Sequence, residues 1–374
     1  MLPIKIDYLE FYVFNAFQAA NFYKSSFGFE IIAYAGPETG MKDKISYMLK
    51  QGSITLVISS AVNPDSDIIK HVIKHDDSIK DIAFVTNDVH SLFKHSLKNG
   101  ATPVMLPTTI EDGNARIVKA TVASFGDVVH SLIQKQNLIQ EQDDHGILPF
   151  YRLLPHTLSS LQTPRATPII DTIDHLAIAS ESDNITKWKK FYQNTFGFHV
   201  FYMEDIDLGK SGMKSLVMAN EQENIKLVFV EPVSKQERSQ IDNYLSYNNG
   251  EGVQHLAFLT SDIISSARYL KKQGINFLNV PASYYSNLDD SILQRFGQKK
   301  IRNLQELNIL VDADLNDTKN KILMQAFTKP VQNRPTFFTE IIQRDKADGF
   351  GSRNIKALYE AVQQEQNKLQ TQND

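Results

Sequence analysis

The chain has 374 residues, 42% of them hydrophobic and 22% charged, with a net charge of -4 and no cysteine. That length favours two domains over one core, and the slightly acidic balance supplies no basic field for nucleic acid, leaving a small molecule as the expected partner. The lack of thiols excludes disulfides and zinc–thiolate centres, so a metal would be held by nitrogen and oxygen donors from His, Asp and Glu.

The first residues carry Asp7 and Glu10 inside an apolar run and lack the basic and then uncharged segments of a signal, so Asp7 to Phe14 reads as a strand. No run is long and apolar enough to span a bilayer, and a cytoplasmic protein is expected. Asn15 to Ser26 has apolar residues at helical spacing and ends on Phe27-Gly28-Phe29, where the glycine stops the helix. Ile45 to Leu49 and Ile54 to Ile58 form a hairpin about Gln51-Gly52. Asp81 to Asp88 begins a new unit, with a helical run ending at Asn99-Gly100 and a closing strand near Ser131 to Lys135. Residues 136–168 lack a clear period and read as a connection with one short helix over Leu153 to Leu161.

The same order then returns. Ile173-Asp174-His175-Leu176 repeats Ile6-Asp7-Tyr8-Leu9, and Asn184 to Thr195 with Phe196-Gly197-Phe198 repeats the first helix and its stop. Lys214 to Met218 and Ile225 to Val230 repeat the hairpin, His255 to Asp262 repeats Asp81 to Asp88, and Glu340 to Arg344 repeats Ser131 to Lys135. Strand, helix and several strands thus occur four times, which places one domain in 1–150 and the other in 151–374. Asn354 to Leu369, with Ile355, Leu358, Tyr359 and Val362 at i, i+3, i+4 and i+7, reads as an amphipathic C-terminal helix.

The two copies differ where chemistry would sit. His175 stands for Tyr8, His255 for Asp81 and Glu340 for Ser131. A lone strand histidine is more often a hydrogen-bonded structural residue than a ligand, but three such replacements in one copy make a 2-His-1-carboxylate face with positions left open for a substrate and O2. Such a face prefers iron to zinc, although manganese or cobalt can take the same ligands. His71, His75, His90 and His95 lie in polar helical stretches and read as solvated, and His130 reads as structural. Taken alone, Phe327, Phe337, Phe338 and Phe350 are as well explained as core aromatics.

Several motifs together are specific: Gly252-Val253-Gln254-His255-Leu256-Ala257, Pro281-Ala282-Ser283-Tyr284-Tyr285, Gln325-Ala326-Phe327-Thr328-Lys329-Pro330, Arg334 to Arg344, and Gly349-Phe350-Gly351. Through them the chain resembles the 4-hydroxyphenylpyruvate dioxygenase family of the vicinal-oxygen-chelate superfamily, from about Ile6 to Asn367. The resemblance implies an α+β fold of two domains, each of paired βαβββ modules forming an open β-barrel, with a C-terminal lid helix. It implies Fe(II) on His175, His255 and Glu340 in the second domain only, with an aromatic 2-oxo acid and O2 as partners, and it leaves a homo-oligomer open. It further implies that Ser215, Gln240, Gln254 and Gln325 are polar residues around the bound substrate, and that Phe327, Phe338 and Phe350 are pocket aromatics. Members that form homogentisate usually have Pro-Leu-Asn-Glu-Pro where this chain has Val228-Phe229-Val230-Glu231-Pro232, and Gly-Asn-Phe where it has Arg353-Asn354-Ile355. With Val230 and Ile355 the pocket becomes more aliphatic and looks like that of the 4-hydroxymandelate synthase branch. The expected activity is therefore oxidative decarboxylation with benzylic hydroxylation, the alternative being ring attack and homogentisate.

Overall fold

The computed structural model describes residues 2–136, 147–155, 169–207, 209, 211–234, 237–314, 321–351 and 354–357. The first module is β1 (Lys5–Tyr12), α1 (Ala16–Phe27), β2 (Glu30–Ala35), β3 (Lys44–Gln51) and β4 (Ile54–Ala61). Helix α2 (Asp67–His75) leads to the second, β5 (Ser78–Val85), α3 (Val89–Lys98), β6 (Pro103–Glu111), β7 (Arg116–Ala123) and β8 (Val129–Gln136), after which comes β9 (Arg152–Leu153). The third is β10 (Thr172–Ala179), α4 (Ile185–Phe196), β11 (His199–Asp207), β12 (Ser211–Ala219) and β13 (Lys226–Ser234). Helix α5 (Gln240–Asn248) precedes the fourth, β14 (Gly252–Leu259), α6 (Ile263–Lys272), α7 (Ala282–Ser286), α8 (Asp290–Glu306), β15 (Leu310–Asp314), β16 (Lys321–Phe327) and β17 (Phe338–Asp345). The fourfold βαβββ pattern read from the sequence is the fold.

Local chemistry explains the repeated elements. Asn15 caps α1 by accepting from the Gln18 N–H, and Gly28, at φ 79°, ends it in the left-handed conformation. Asp88 caps α3 and Asp262 caps α6 through the same bond, to Ser91 N and Ser265 N.

Two curled sheets result, ordered β6-β7-β8-β5-β1-β4-β3-β2-β9 and β11-β12-β13-β10-β14-β17-β16-β15. Strand alternation divides each into two faces. In β10, Leu176 and Ile178 enter the large apolar core, while Ala177 and Ala179 belong to a separate cluster on the other face, which His175 shares. That large core joins both halves: ring centroids lie 6.0 Å apart for Phe29 and Phe258, 5.5 Å for Phe84 and Phe196, and 5.9 Å for Phe125 and Phe229.

Some expectations are corrected. Arg152–Leu153 is a strand paired with β2, so of the helix expected over Leu153 to Leu161 only Pro155 is helical among the described residues, and 156–161 lie outside them. Of the C-terminal helix expected over Asn354 to Leu369, 354–357 are helical and 358–369 lie outside the described residues. His71 and His75 are buried, not solvated. His75 bonds Asn248 O at 2.6 Å and Asp127 at 2.8 Å, and His71 lies 2.9 Å from the Ser78 hydroxyl. Counting imidazole as polar hid the inner face of α2, which is Ile68, His71, Val72 and His75. No described helix is long and apolar enough to cross a membrane.

Candidate metal centre

The centre is assembled by three adjacent strands. His175 of β10 lies opposite Ala257 of β14, whose parallel partner on β17 is Glu340, and His255 lies opposite Ala177. These positions share a face because neighbours two apart in a strand, and their cross-strand partners, point the same way. One ligand-capable atom from each of His175, His255 and Glu340 lies within 4.8 Å of the others, and all three residues are buried. Glu340 Oε2 is 3.3 Å from His175 Nε2 and 3.5 Å from His255 Nε2.

Asp174, Gln254 and Gln325 hold these three from behind. The β10–β14 ladder shifts register between Ile173 and His175, a bulge at Asp174 that lets its carboxylate reach the next side chain. Asp174 Oδ1 is 2.8 Å from His175 Nδ1, and Arg344 clamps Asp174 at both oxygens, Nε to Oδ2 at 2.7 Å and Nη2 to Oδ1 at 2.8 Å. Gln254 Oε1 is 3.1 Å from His255 Nδ1. With each Nδ1–H donating outward, both Nε2 lone pairs face Glu340. Glu340 Oε1 accepts from Gln325 Nε2 at 3.0 Å.

The electrostatics agree. Burial pushes the Glu340 carboxyl up, but His175 and His255 outweigh it and pull it down to about 2. Burial opposes charge on His175, yet Glu340 and Asp174 leave it raised, whereas burial leaves His255 lowered. Burial also works against an ionised Asp174, but Arg344 and His175 hold it well below the usual carboxylate range. Two buried carboxylates around one imidazole make a site that demands positive charge. Two imidazole nitrogens and a carboxylate oxygen, oriented by bonds from behind, fit a divalent cation of the iron, manganese or cobalt kind.

The other expected site residues sort into those beside the triad and those farther out. The Phe338 ring stacks on His255 at 4.8 Å, Phe327 stands edge-on to it at 6.2 Å, and Phe350 meets His175 edge-on at 5.1 Å. Val230 and Phe350 share an apolar cluster with Met213, Val228, Ile241 and Tyr244, against which Ile355 packs. Ser215 is buried opposite Val230 in the β12–β13 ladder, and Gln240 is buried at the start of α5 with an Oε1 that has no partner among the described residues. Gln254 and Gln325 each spend an amide atom on a residue of the triad, His255 and Glu340 respectively.

Asp174, Arg344 and Asn354 were not singled out from the sequence, although Asp174 hydrogen-bonds the triad directly, Arg344 reaches it through Asp174 and Asn354 through Gln325. A signal existed: Asp7 and Lys135 occupy the matching places of the first half and are also paired, at 2.5 Å. The acid–base pair at matching places of both repeats is a shared frame, which in the second half also supports the candidate site.

The chain matches the family model of the Glyoxalase/Bleomycin resistance protein/Dioxygenase superfamily over residues 5–134 and 172–296. It is 36% identical to 4-hydroxyphenylpyruvate dioxygenase of Yarrowia lipolytica, covering 97% of this chain and 92% of that protein, and 36% identical to that of Danio rerio, covering 97% and 91%. Among solved structures, a substituted variant of 4-hydroxymandelate synthase from Streptomyces coelicolor superposes with a TM-score of 0.86 at 36% identity, covering 98% of this chain and all of that one. The chain belongs to the 4-hydroxyphenylpyruvate dioxygenase family and, like its relatives, is a metal-dependent dioxygenase.

Proposed function

We propose that the protein is a 4-hydroxymandelate synthase, converting 4-hydroxyphenylpyruvate and O2 to 4-hydroxymandelate and CO2. The reading rests on one observation: the wall that continues from Phe350, the ring packed on His175, is aliphatic at Val230 and Ile355. We place the Fe(II) on His175, His255 and Glu340, within the segment 151–374. When bound, Fe(II) supplies chelation of the 2-oxo acid and the redox chemistry with O2.

The chain's own residues do the rest. Asp174 and Gln254 keep each Nδ1 protonated, so both Nε2 atoms stay available as ligands. Phe338 against His255 and Phe350 against His175 cover the centre with apolar surface and exclude water from it. The unpartnered Gln240 Oε1 is a buried acceptor suited to a phenol O–H, because leaving such an atom unbonded is costly. Branched, compact side chains at 230 and 355 let the ring settle differently from a pocket with an amide and a flat phenyl group there. A displacement of about an ångström decides which carbon is presented, since reacting atoms must be in near contact. With the benzylic carbon presented, hydroxylation there gives 4-hydroxymandelate.

The test is product identification. Protein loaded anaerobically with Fe(II), given 4-hydroxyphenylpyruvate and air, yields 4-hydroxymandelate as the main product on chromatography. Homogentisate as the main product overturns the branch, and no O2 uptake overturns the substrate.

A further inference from the structure

Two hydrogen-bond chains leave the candidate metal centre on different strands and reach residues five apart in the chain, the Asn354 side chain and the Gly349 carbonyl. From β17, Glu340 Oε1 accepts from Gln325 Nε2, and Gln325 Oε1 accepts from Asn354 Nδ2 at 2.9 Å. Asn354 Oδ1 in turn lies 2.7 Å from the Tyr284 hydroxyl, which also bonds the main chain of Val311 at 2.9 Å. From β10, His175 leads through Asp174 to Arg344, whose Nη1 donates to Gly349 O at 2.5 Å and to Ala347 O at 3.3 Å. Gly349 and Asn354 flank Gly351, and a Cβ there would fall 2.5 Å from Gln325 Oε1 and 3.0 Å from Leu323 Cδ2. With φ at 77° besides, a side chain there would be strained as well as crowded against Gln325, and glycine lets the backbone close directly over it. Asn354 is 1% exposed although its side chain is fully polar.

We propose that Asn354 is a positioning residue for the metal: its amide fixes the orientation of Gln325 and thereby the carboxylate of Glu340, so that docking of the Gly349, Gly351 and Asn354 backbone and metal binding are one coupled equilibrium. This rests on the metal reading above and adds what sets the affinity. Coupling of this kind is reciprocal. If Asn354 tightens the metal, the metal must hold the Asn354 backbone in place, and the Ile355 N–H, bonded to Gly351 O at 2.9 Å, reports it. An asparagine that merely began a helix would affect stability and leave affinity alone.

The experiment titrates the protein with Co(II), read by its visible absorption, alongside amide hydrogen exchange at Ile355. Asn354→Leu raises the Co(II) dissociation constant about 10-fold, the low end of the range for residues bonded directly to a ligand, because Asn354 acts through Gln325. Tyr284→Phe, which removes the hydroxyl facing Asn354 but keeps the ring, raises it less and in the same direction. Lys356→Ala, an exposed neighbour, leaves it unchanged. In the wild type Co(II) slows exchange at Ile355, and in Asn354→Leu that slowing shrinks. Affinity within twofold of wild type in Asn354→Leu overturns the proposal; if that variant does not fold, the same result in Tyr284→Phe overturns it. A wild type that takes up no Co(II) overturns the metal reading itself, a result distinct from either.

Discussion

His175, His255 and Glu340 have twins in the first half that the sheet registers identify without slack. Tyr8 lies opposite Ala83 as His175 lies opposite Ala257, and the β5–β8 register sets Ser131 beside Ala83 as Glu340 stands beside Ala257. Asp81 lies opposite Glu10 as His255 lies opposite Ala177. Those twins form an ionic network with no cation-binding triad. Asp81 takes both the N–H and the hydroxyl of Ser131, Lys119 bonds the Tyr8 hydroxyl at 3.3 Å, and Glu10 pairs with Lys44 at 2.5 Å. The same scaffold therefore carries lysines on one side and imidazoles on the other. Removing one donor should abolish the site: Glu340→Ala is expected to weaken Co(II) binding by at least about 100-fold in a direct titration, more than loss of a residue behind a ligand does. Ile355→Phe together with Val230→Asn is expected to move product from 4-hydroxymandelate toward homogentisate in the chromatographic assay. An unchanged ratio would remove the steric account of the branch.

Elements matter through where their ends are tied. Arg334 donates from its guanidinium to Lys74 O at 2.6 Å and Ile73 O at 2.7 Å, serving the last carbonyls of α2 from the loop that leads into β17. The carboxylate of Glu251, just before β14, gathers the Glu181 N–H, the Asn184 amide and the Trp188 indole at 3.0, 2.9 and 3.1 Å, anchoring the start of α4. Gly126, in the turn before β8, sits against that same residue: at φ 53°, a Cβ would fall 2.2 Å from Glu251 O. Gly126→Ala combines a left-handed backbone with a backbone clash, so it is expected to cost at least about 2 kcal/mol, measured as a lower urea midpoint with little change in slope. Because β14 carries His255, part of that strain is expected at the centre as well.

At the scale of the molecule, the aromatic layer between the sheets makes folding of the halves interdependent and places His130 at its middle. His130 is wholly buried, its Nδ1 bonded to Ile82 O at 2.9 Å and its Nε2 2.7 Å from the Tyr192 hydroxyl of the other half. Burial lowers it from 6.5 to about 4. Between those values the unfolded chain binds a proton that the native state refuses, so stability declines as pH falls from about 6.5 to about 4 and is regained as pH rises. The loss is of order 3 kcal/mol. In His130→Gln this part of the acid-side slope is expected to vanish from a series of urea unfolding curves, while wild-type slopes matching the variant would contradict it.

The sequence by itself determined the repeat, the βαβββ order and the three residues of the candidate centre, because strand alternation, capping residues and glycine stops are local, and because a duplicated chain carries its own comparison. Its departures at Val230 and Ile355 were equally legible. It did not determine that His71 and His75 are interior, that 152–153 is a strand, or that Gln254 and Gln325 face the ligands. Nor did it single out Asp174, Arg344 and Asn354. Those facts depend on which distant surfaces meet: α2 is buried by β4 and α5, and Gln325 is held by an asparagine 29 residues away. A side chain's type is written in the chain, but the partner that fixes its orientation is supplied only when the sheets close.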